Sequence, residues 1–354
     1  MRLLFLIKLA QLGKKTMNKK KLELADQVIY FGSAQSMAEI PSESVTLIVT
    51  SPPYWNVRDY GASQIGFGQS YKEYIADLNL VWRECYRVLQ PNGKIAINIQ
   101  PLPIASNQSG YNRRVIQNIM WDIEHFMRMN KLYLSGMHYW SKIPYISNVS
   151  WGSFPKPTNI ASNTAFEQIF VWVKKGPTRK LSKDVLEKNL LSKDEWRHWA
   201  VRCIWDDIVP VFKINSKGEN IFGHSAPFPE EIPYRLIRMH TVKGETVLDP
   251  FLGSGTTLKV CRIIGRKGIG YEINKDYQDL IKNRIMEDWS SNSIQSQYKV
   301  FGTSDFHEIM KFLSDKLKNN PEENFKSLLS SLHRQYPEKI TKSWVKHLLR
   351  QIKL

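Results

Sequence analysis

The sequence predicts an α/β protein built on a mostly parallel sheet with helices on both faces. Two observations carry this. Short apolar, β-branched runs alternate with segments of helical spacing along most of the chain. With 354 residues the chain can bury one large core or two smaller ones, and its 12% aromatic content excludes broad disorder.

The first strand is 28–32, VIYFG, running into a Gly-Ser turn, and residues 36–40 make a short helical turn. Residues 45–50, VTLIVT, form the next strand, which ends abruptly because Pro52 and Pro53 supply no N–H to a ladder. From 71 to 89 apolar residues recur at helical spacing (Tyr74, Ile75, Leu78, Val81, Cys85, Val88), and Pro91-Asn92-Gly93 stops the helix. A strand at 94–99, a helix at 115–129 and strands at 132–140 and 167–173 follow, the last two joined by a Pro/Asn/Ser-rich excursion. Residues 174–222 are charged and irregular and read as an insertion. Helix 230–239, strand 246–248, helix 256–264, strand 268–271 and helix 277–288 then restore the alternation. The expected organisation is a basic, disordered extension over 1–25, one half-domain over 26–173 and an insertion over 174–221. A second half-domain over 222–289, a Ser/Gln-rich linker over 290–303 and a helical tail over 304–354 complete it.

Fifty Lys plus Arg against 33 Asp plus Glu leave a net charge of +17, which suits an anionic partner, nucleic acid before an acidic membrane. Seven of the positive charges fall in residues 1–21, so a solvated tail accounts for part of the excess. Cys85, Cys203 and Cys261 stand far apart, which fits a reducing compartment without a disulfide framework. The histidines are scattered and suggest no metal site. The first ten residues begin like a signal peptide, but Lys8 interrupts the apolar run and no small-residue cleavage site follows. Met17 offers a second start, so residues 1–16 read as a translated upstream extension or a frayed tail. No run reaches the roughly 20 apolar residues of a spanning helix, and a cytoplasmic protein without membrane contact is expected.

Residues 249–257, DPFLGSGTT, sit between an apolar strand and a helix. Gly253 and Gly255 permit a tight turn and close approach of a ligand to the backbone, and the helix behind presents unpaired N–H groups. Glu272 ends the next strand, where a carboxylate suits two ribose hydroxyls. The glycine spacing is not G-x-G-x-x-G and no phosphate-loop lysine follows, so a ribose-bearing ligand is supported and a pyrophosphate is not. A plain strand–helix turn is the alternative.

Together DPFLGSGTT, GYEIN at 270–274 and TSPPY at 50–54 resemble the S-adenosylmethionine-dependent DNA methyltransferases that act on exocyclic amines. The catalytic motif precedes the cofactor loop, as in the permuted, beta-class group of restriction–modification methylases. The likeness covers 26–286 and includes FGHSAPFP at 222–229, YRVLQPNG at 86–93 and the strand end at Trp140 and Lys142. It implies a Rossmann-like fold: a mostly parallel seven-stranded sheet with a C-terminal antiparallel hairpin, in circularly permuted order, plus a target-recognition insertion at 174–221. The implied cofactor is S-adenosyl-L-methionine, held by Asp249, Pro250, Phe251, Gly253, Ser254, Gly255, Thr256 and Glu272, with Ser225 and Phe228 from the second segment. Ser33 stands where the family commonly has an acid and is a weaker acceptor for the cofactor there.

The implied catalytic residues are Ser51, Pro52, Pro53 and Tyr54. An exocyclic amine is a poor nucleophile because its lone pair is delocalised into the ring. Two acceptors off the ring plane, the Ser51 hydroxyl and the Pro52 carbonyl, favour a more tetrahedral nitrogen. Tyr54 offers a face for an extruded base, and stacking returns roughly 1–3 kcal/mol per base. Ser before Pro-Pro accompanies cytosine N4 in this family, and Asp or Asn accompanies adenine N6. Cytosine N4 is therefore expected, with adenine N6 as the alternative. A non-catalytic nucleic-acid-binding protein that retained the fold is the rival from another class, and a nicotinamide oxidoreductase a distant third. The expected partner is double-stranded DNA, gripped by Arg58, Tyr60, Lys156, Lys174, Lys175, Arg179, Lys180 and Arg197, with solvated surface as the bland reading of each. Trp196 and Trp199 read as core anchors. A cognate restriction endonuclease would act on the same site without a stable complex. The tail at 304–354 either contacts DNA or packs.

Overall fold

In chain order the strands are β1 Lys20–Leu24, β2 Gln27–Phe31, β3 Val45–Thr50, β4 Leu89–Ile99, β5 Leu102–Ile104, β6 Val115–Gln117, β7 Leu132–Ser141, β8 Phe166–Lys174, β9 Ile204–Trp205, β10 Thr246–Asp249 and β11 Lys267–Glu272. The helices between them are α1 Tyr71–Val88, α2 Ile119–Met129, α3 Lys183–Glu187, α4 Lys193–Glu195, α5 Glu231–His240, α6 Thr256–Ile263 and α7 Gln278–Met286. A π turn, Trp196–Val201, continues α4. This computed structural model describes residues 19–56, 64–107, 109–142, 164–208, 210–211, 229–288, 312, 315–320 and 325–335. The chain divides into two units, Met1–Asp288 and Trp289–Leu354. In the second, helix α8 Phe325–Gln335 buries Leu328 and Leu332, one turn apart.

The large sheet has nine strands in the order β1-β2-β11-β10-β3-β4-β8-β7-β9, with β5 and β6 paired separately. Strands β2, β11, β10, β3 and β4 run parallel to one another. β8 lies antiparallel between β4 and β7. The expected seven strands are therefore present, with β1 and β9 added on the two edges. The antiparallel hairpin, expected C-terminal, falls in mid-chain as β7–β8. The two expected half-domains share one sheet, because β10 and β11 insert between β2 and β3.

Residues 20–24, expected to be disordered, pair antiparallel with β2. Ala25 and Asp26, both with positive φ (48° and 62°), close a two-residue hairpin of the twist that strands favour. Ala-Asp is a weak signal for that turn, which is why the sequence hides it. Residues 115–117, expected to start a helix, pair with β5 instead, and α2 begins after Asn118.

Helix α1 begins where Ser70 and Glu73 form a capping box: the Ser70 hydroxyl accepts from the Glu73 N–H at 3.3 Å, and the Glu73 carboxylate accepts from the Ser70 N–H at 2.9 Å. It ends as expected before Pro91. Residues 90–93 then loop out of the β3–β4 ladder, whose register jumps from Val45↔Leu89 to Leu47↔Lys94. The apolar face of α1 (Tyr74, Ile75, Leu78, Val81, Trp82, Cys85) packs with α2 and with Ile48, Ile95 and Ile97 of the sheet. Alternation along β2 sends Tyr30 to that cluster and Ile29 and Phe31 to a second, closed by Leu258 of α6 and by Ile281 and Ile285 of α7. Both faces are thus covered, as a parallel sheet requires.

Candidate active site

Because β3 and β10 are parallel neighbours paired at Val247↔Leu47 and Leu248↔Ile48, the segments that follow them emerge at the same end of the sheet. Those segments are the Ser51-Pro52-Pro53-Tyr54 motif and the glycine loop. They are joined directly: the Thr50 hydroxyl donates to Asp249 Oδ1 at 2.7 Å.

Asp249, expected to touch the cofactor, has another role in the structure. Its carboxylate is fully buried and accepts from Thr50 Oγ1, from Thr257 Oγ1 at 2.6 Å and from the Phe251 N–H at 3.1 Å. It ties β3, the loop and the first turn of α6 together and is an organiser of the site. Burial raises its pKa to about 6 against the pull of those hydrogen bonds. Gly253 and Gly255 take positive φ (56° and 95°), and Gly255 caps α6 in the left-handed conformation. Phe251 sets its ring edge-on to Trp82 at 5.9 Å, and Ser254 and Thr256 are buried.

Glu272 terminates β11 beside this loop. The Gly253 and Asn274 N–H groups each donate to one of its oxygens at 2.8 Å. A carboxylate offers about four lone-pair directions, so acceptor capacity remains for hydroxyls of a ribose. Burial is the largest cause raising its pKa to about 7, and Asp249 adds to it. With the Ile273 N–H also directed at it, this buried carboxylate keeps an open acceptor direction beside a glycine turn, which fits a ribose-bearing cofactor. Ser33 follows β2, whose neighbour is β11. Its hydroxyl is engaged in its own turn, accepting from the Gln35 N–H and donating to Gln35 Oε1, both at 3.2 Å.

On the catalytic side, Pro52 is buried, and the Tyr74 hydroxyl donates to the Pro53 carbonyl at 2.9 Å, pinning the motif to α1. The Tyr54 hydroxyl donates to Glu167 Oε2 at 3.2 Å, with the Ser51 hydroxyl also directed at the phenol. Burial, then the Glu167 charge, pushes the phenol well above its usual range. The flanking loop is braced: the Trp55 indole donates to the Gln69 carbonyl at 2.8 Å, and Gln69 donates to Asp77 on α1 at 2.6 Å. Asp77 also accepts from Gln35 at 3.0 Å, which links the Ser33 turn to the loop beside the Ser51–Tyr54 motif.

Several expected DNA contacts lie elsewhere. β8 runs antiparallel to β4, with Val173 opposite Lys94, so residues 174–180 start at the end of the sheet away from Ser51. Lys174 is buried there, donating to the Tyr86 carbonyl at 3.0 Å and the Leu89 carbonyl at 2.7 Å and pairing with Glu43 at 3.1 Å. Arg179 pairs with Glu245, which precedes β10, and donates to the His240 carbonyl at 2.9 Å. Both are fold residues, and exposed Lys175 and Lys180 flank them at the same remote end. Among the described residues, the later part of the insertion docks on α5: Trp199 sets its ring against Tyr234 at 5.5 Å, and Arg235 forks onto Asp207 at 3.1 and 2.6 Å. Trp199 is therefore a core anchor, as expected, while Trp196 is 54% exposed and is not. Arg197 is exposed on the π turn leading to β9. Arg58, Tyr60, Lys156, Ser225 and Phe228 lie outside the described residues.

Sequence reasoning missed Thr50, Thr257, Asn98 and Glu167. A carboxylate at the mouth of an otherwise apolar strand, FEQIFVWV, was the available signal for Glu167.

Comparison with known proteins agrees with this geometry. A family model described as DNA methylase matches residues 45–283. The type II methyltransferase M.MjaI of Methanocaldococcus jannaschii is 35% identical over 282 residues, covering 73% of this chain and 90% of that protein. M.MthZI of Methanothermobacter thermautotrophicus is 30% identical, covering 73% and 76%. The TTHA0409 protein of Thermus thermophilus, solved in complex with S-adenosyl-L-methionine, is 30% identical with a TM-score of 0.56 and covers 73% of this chain and 94% of its own. The PvuII DNA methyltransferase, 19% identical with a TM-score of 0.50, shares the fold. By sequence over most of its length and by fold, the chain belongs to the N6/N4 family of S-adenosylmethionine-dependent DNA methylases.

Proposed function

We propose that this DNA methyltransferase is site-specific and modifies the N4 amine of a cytosine flipped out of duplex DNA, protecting the DNA from a cognate restriction endonuclease. The carrying observation is the Thr50–Asp249 hydrogen bond, which sets Ser51 beside the glycine loop. S-adenosylmethionine, when bound, supplies an electrophilic methyl group on a sulfonium. Glu272 holds its ribose, with Phe251, Gly253, Ser254, Gly255 and Thr256 around it, and Ser33 stands on the adenine side; Ser225 and Phe228 belong to the same reading. Ser51 Oγ and the Pro52 carbonyl accept the two amine hydrogens, and Tyr54 stacks on the base. Arg58, Tyr60, Lys156 and Arg197 are the proposed DNA contacts.

Serine at the head of the motif favours cytosine. Incubating DNA with labelled S-adenosylmethionine and digesting it to nucleosides should yield labelled N4-methyl-2′-deoxycytidine; N6-methyl-2′-deoxyadenosine as the sole product would overturn the base assignment.

Glu272 makes cofactor binding pH-dependent. Ribose hydroxyls donate to the ionised form, and the carboxyl titrates at about 7 in the free protein. Affinity is therefore low below that value and rises as the proton leaves, by about tenfold from pH 6 to pH 8. Titration calorimetry checks this, and Glu272→Gln should flatten the slope while weakening binding at pH 8.

A further inference from the structure

Behind Tyr54 lies a buried charged cluster to which the proposed function gives no role. Glu167, at the start of β8, is 6% exposed. Asn98 of β4 donates to the same oxygen, Oε2, that receives the Tyr54 hydroxyl, and Lys142, just past β7, pairs with Oε1. Lys142 is itself held: its ammonium donates to Gln100 Oε1 at 3.2 Å and lies 4.7 Å from the Trp140 ring centre, and its N–H donates to the Ala165 carbonyl at 2.8 Å. Gln100 is fixed in turn by donating to the Thr164 carbonyl at 2.8 Å. Three strand ends thus converge on one carboxylate, and that carboxylate reaches one phenol.

A buried ion pair stabilises a fold no better than well-packed apolar side chains. Stability alone therefore gives no reason for this cluster at the mouth of an apolar strand. Geometry does. Tyr54 is carried on a loop beyond the end of β3, and the far end of its side chain is anchored: the Glu167 carboxylate accepts its hydroxyl proton, while the Ser51 hydroxyl and the Gln100 N–H are also directed at the phenol oxygen.

We propose that Glu167 is a positioning residue of the methyl transfer: with Lys142 and Asn98 it fixes the Tyr54 phenol and, through it, where the ring stands against the target base. This rests on the reading of Tyr54 as the stacking surface. The tether acts at the step where geometry matters most, since misplacement by about 1 Å can slow a reaction a hundredfold.

The test is a double-mutant cycle read as labelled methyl transfer to DNA. Tyr54→Phe, which keeps the ring and leaves the Glu167–Lys142 pair intact, should lower kcat about tenfold, the worth of one hydrogen bond to a charged group. Glu167→Gln should lower kcat similarly, with KM for S-adenosylmethionine within about twofold of the parent. In the Tyr54→Phe background Glu167→Gln should cost nothing further in kcat, because the tether is already gone. A merely structural Glu167 would slow both backgrounds alike, so multiplying losses would overturn the proposal. Unchanged kcat in Tyr54→Phe would overturn it too, even if Glu167→Gln failed to fold. Failure of the cytosine reading appears separately, in the nucleoside made by the parent enzyme, and the cycle can be run on either base.

Discussion

Replacing Ser51 with alanine should reduce methyl transfer by about a hundred- to a thousandfold, the loss typical of deleting one preorganised hydrogen-bonding group from a transition state. The amine nitrogen must move out of conjugation as it attacks, and the Ser51 oxygen is proposed to accept the N–H that turns out of the ring plane. That contact matters most in the transition state, so kcat should fall with little change in KM for DNA. Cofactor affinity should stay within about twofold, because the glycine loop is held by Thr50 and Asp249 and not by Ser51. Single-turnover methylation with calorimetric binding separates the two effects. Full activity of Ser51→Ala would remove the serine from the mechanism, and lost cofactor binding would recast it as a scaffold residue.

Asp249→Ala should be severe in a different way. It strands three buried donors: two threonine hydroxyls and the Phe251 N–H. Leaving buried partners unsatisfied costs about 1–3 kcal/mol for each group, so a total of several kcal/mol of stability is expected. The glycine loop should lose its fixed turn, and cofactor affinity should drop more than about tenfold. Asp249→Asn should be mild by comparison, since its carbonyl oxygen still accepts and a threonine hydroxyl can rotate to accept from the amide. Thermal melting with cofactor titration of both variants checks the order. If Asn proved as damaging as Ala while both stayed folded, the charge of Asp249 would have to act on the ligand directly.

The pattern that made both motifs readable is local. Pro52-Pro53 after VTLIVT, and Gly253 and Gly255 between an apolar strand and an amphipathic helix, announce themselves because proline and glycine act on their own backbone. Helix and strand periodicity did the same for α1, α5, α6, β3, β4, β10 and β11. Where local signals were weak the reading failed: β1 is closed by Ala-Asp, and 115–117 carries apolar residues that serve a strand as well as a helix.

The roles of charged residues were not legible in the same way. Lys174 and Glu167 sit at opposite ends of one strand, so sequence cannot say which end faces the chemistry. Register decides it: with Val173 opposite Lys94, Lys174 falls at the far end among carbonyls of α1 and β4, and Glu167 falls beside Tyr54. Asp249 stands inside the glycine motif, yet its partners come from β3 and α6, about two hundred residues before it in one case and eight after it in the other. The sequence by itself determined the fold class, the proline-terminated strand end and the glycine turn, because each is written in the conformational limits of neighbouring residues. Only the tertiary structure decided which side chains face the site and which hold it up, because a charge finds its partner through space, and the sheet's pairing brings those partners together.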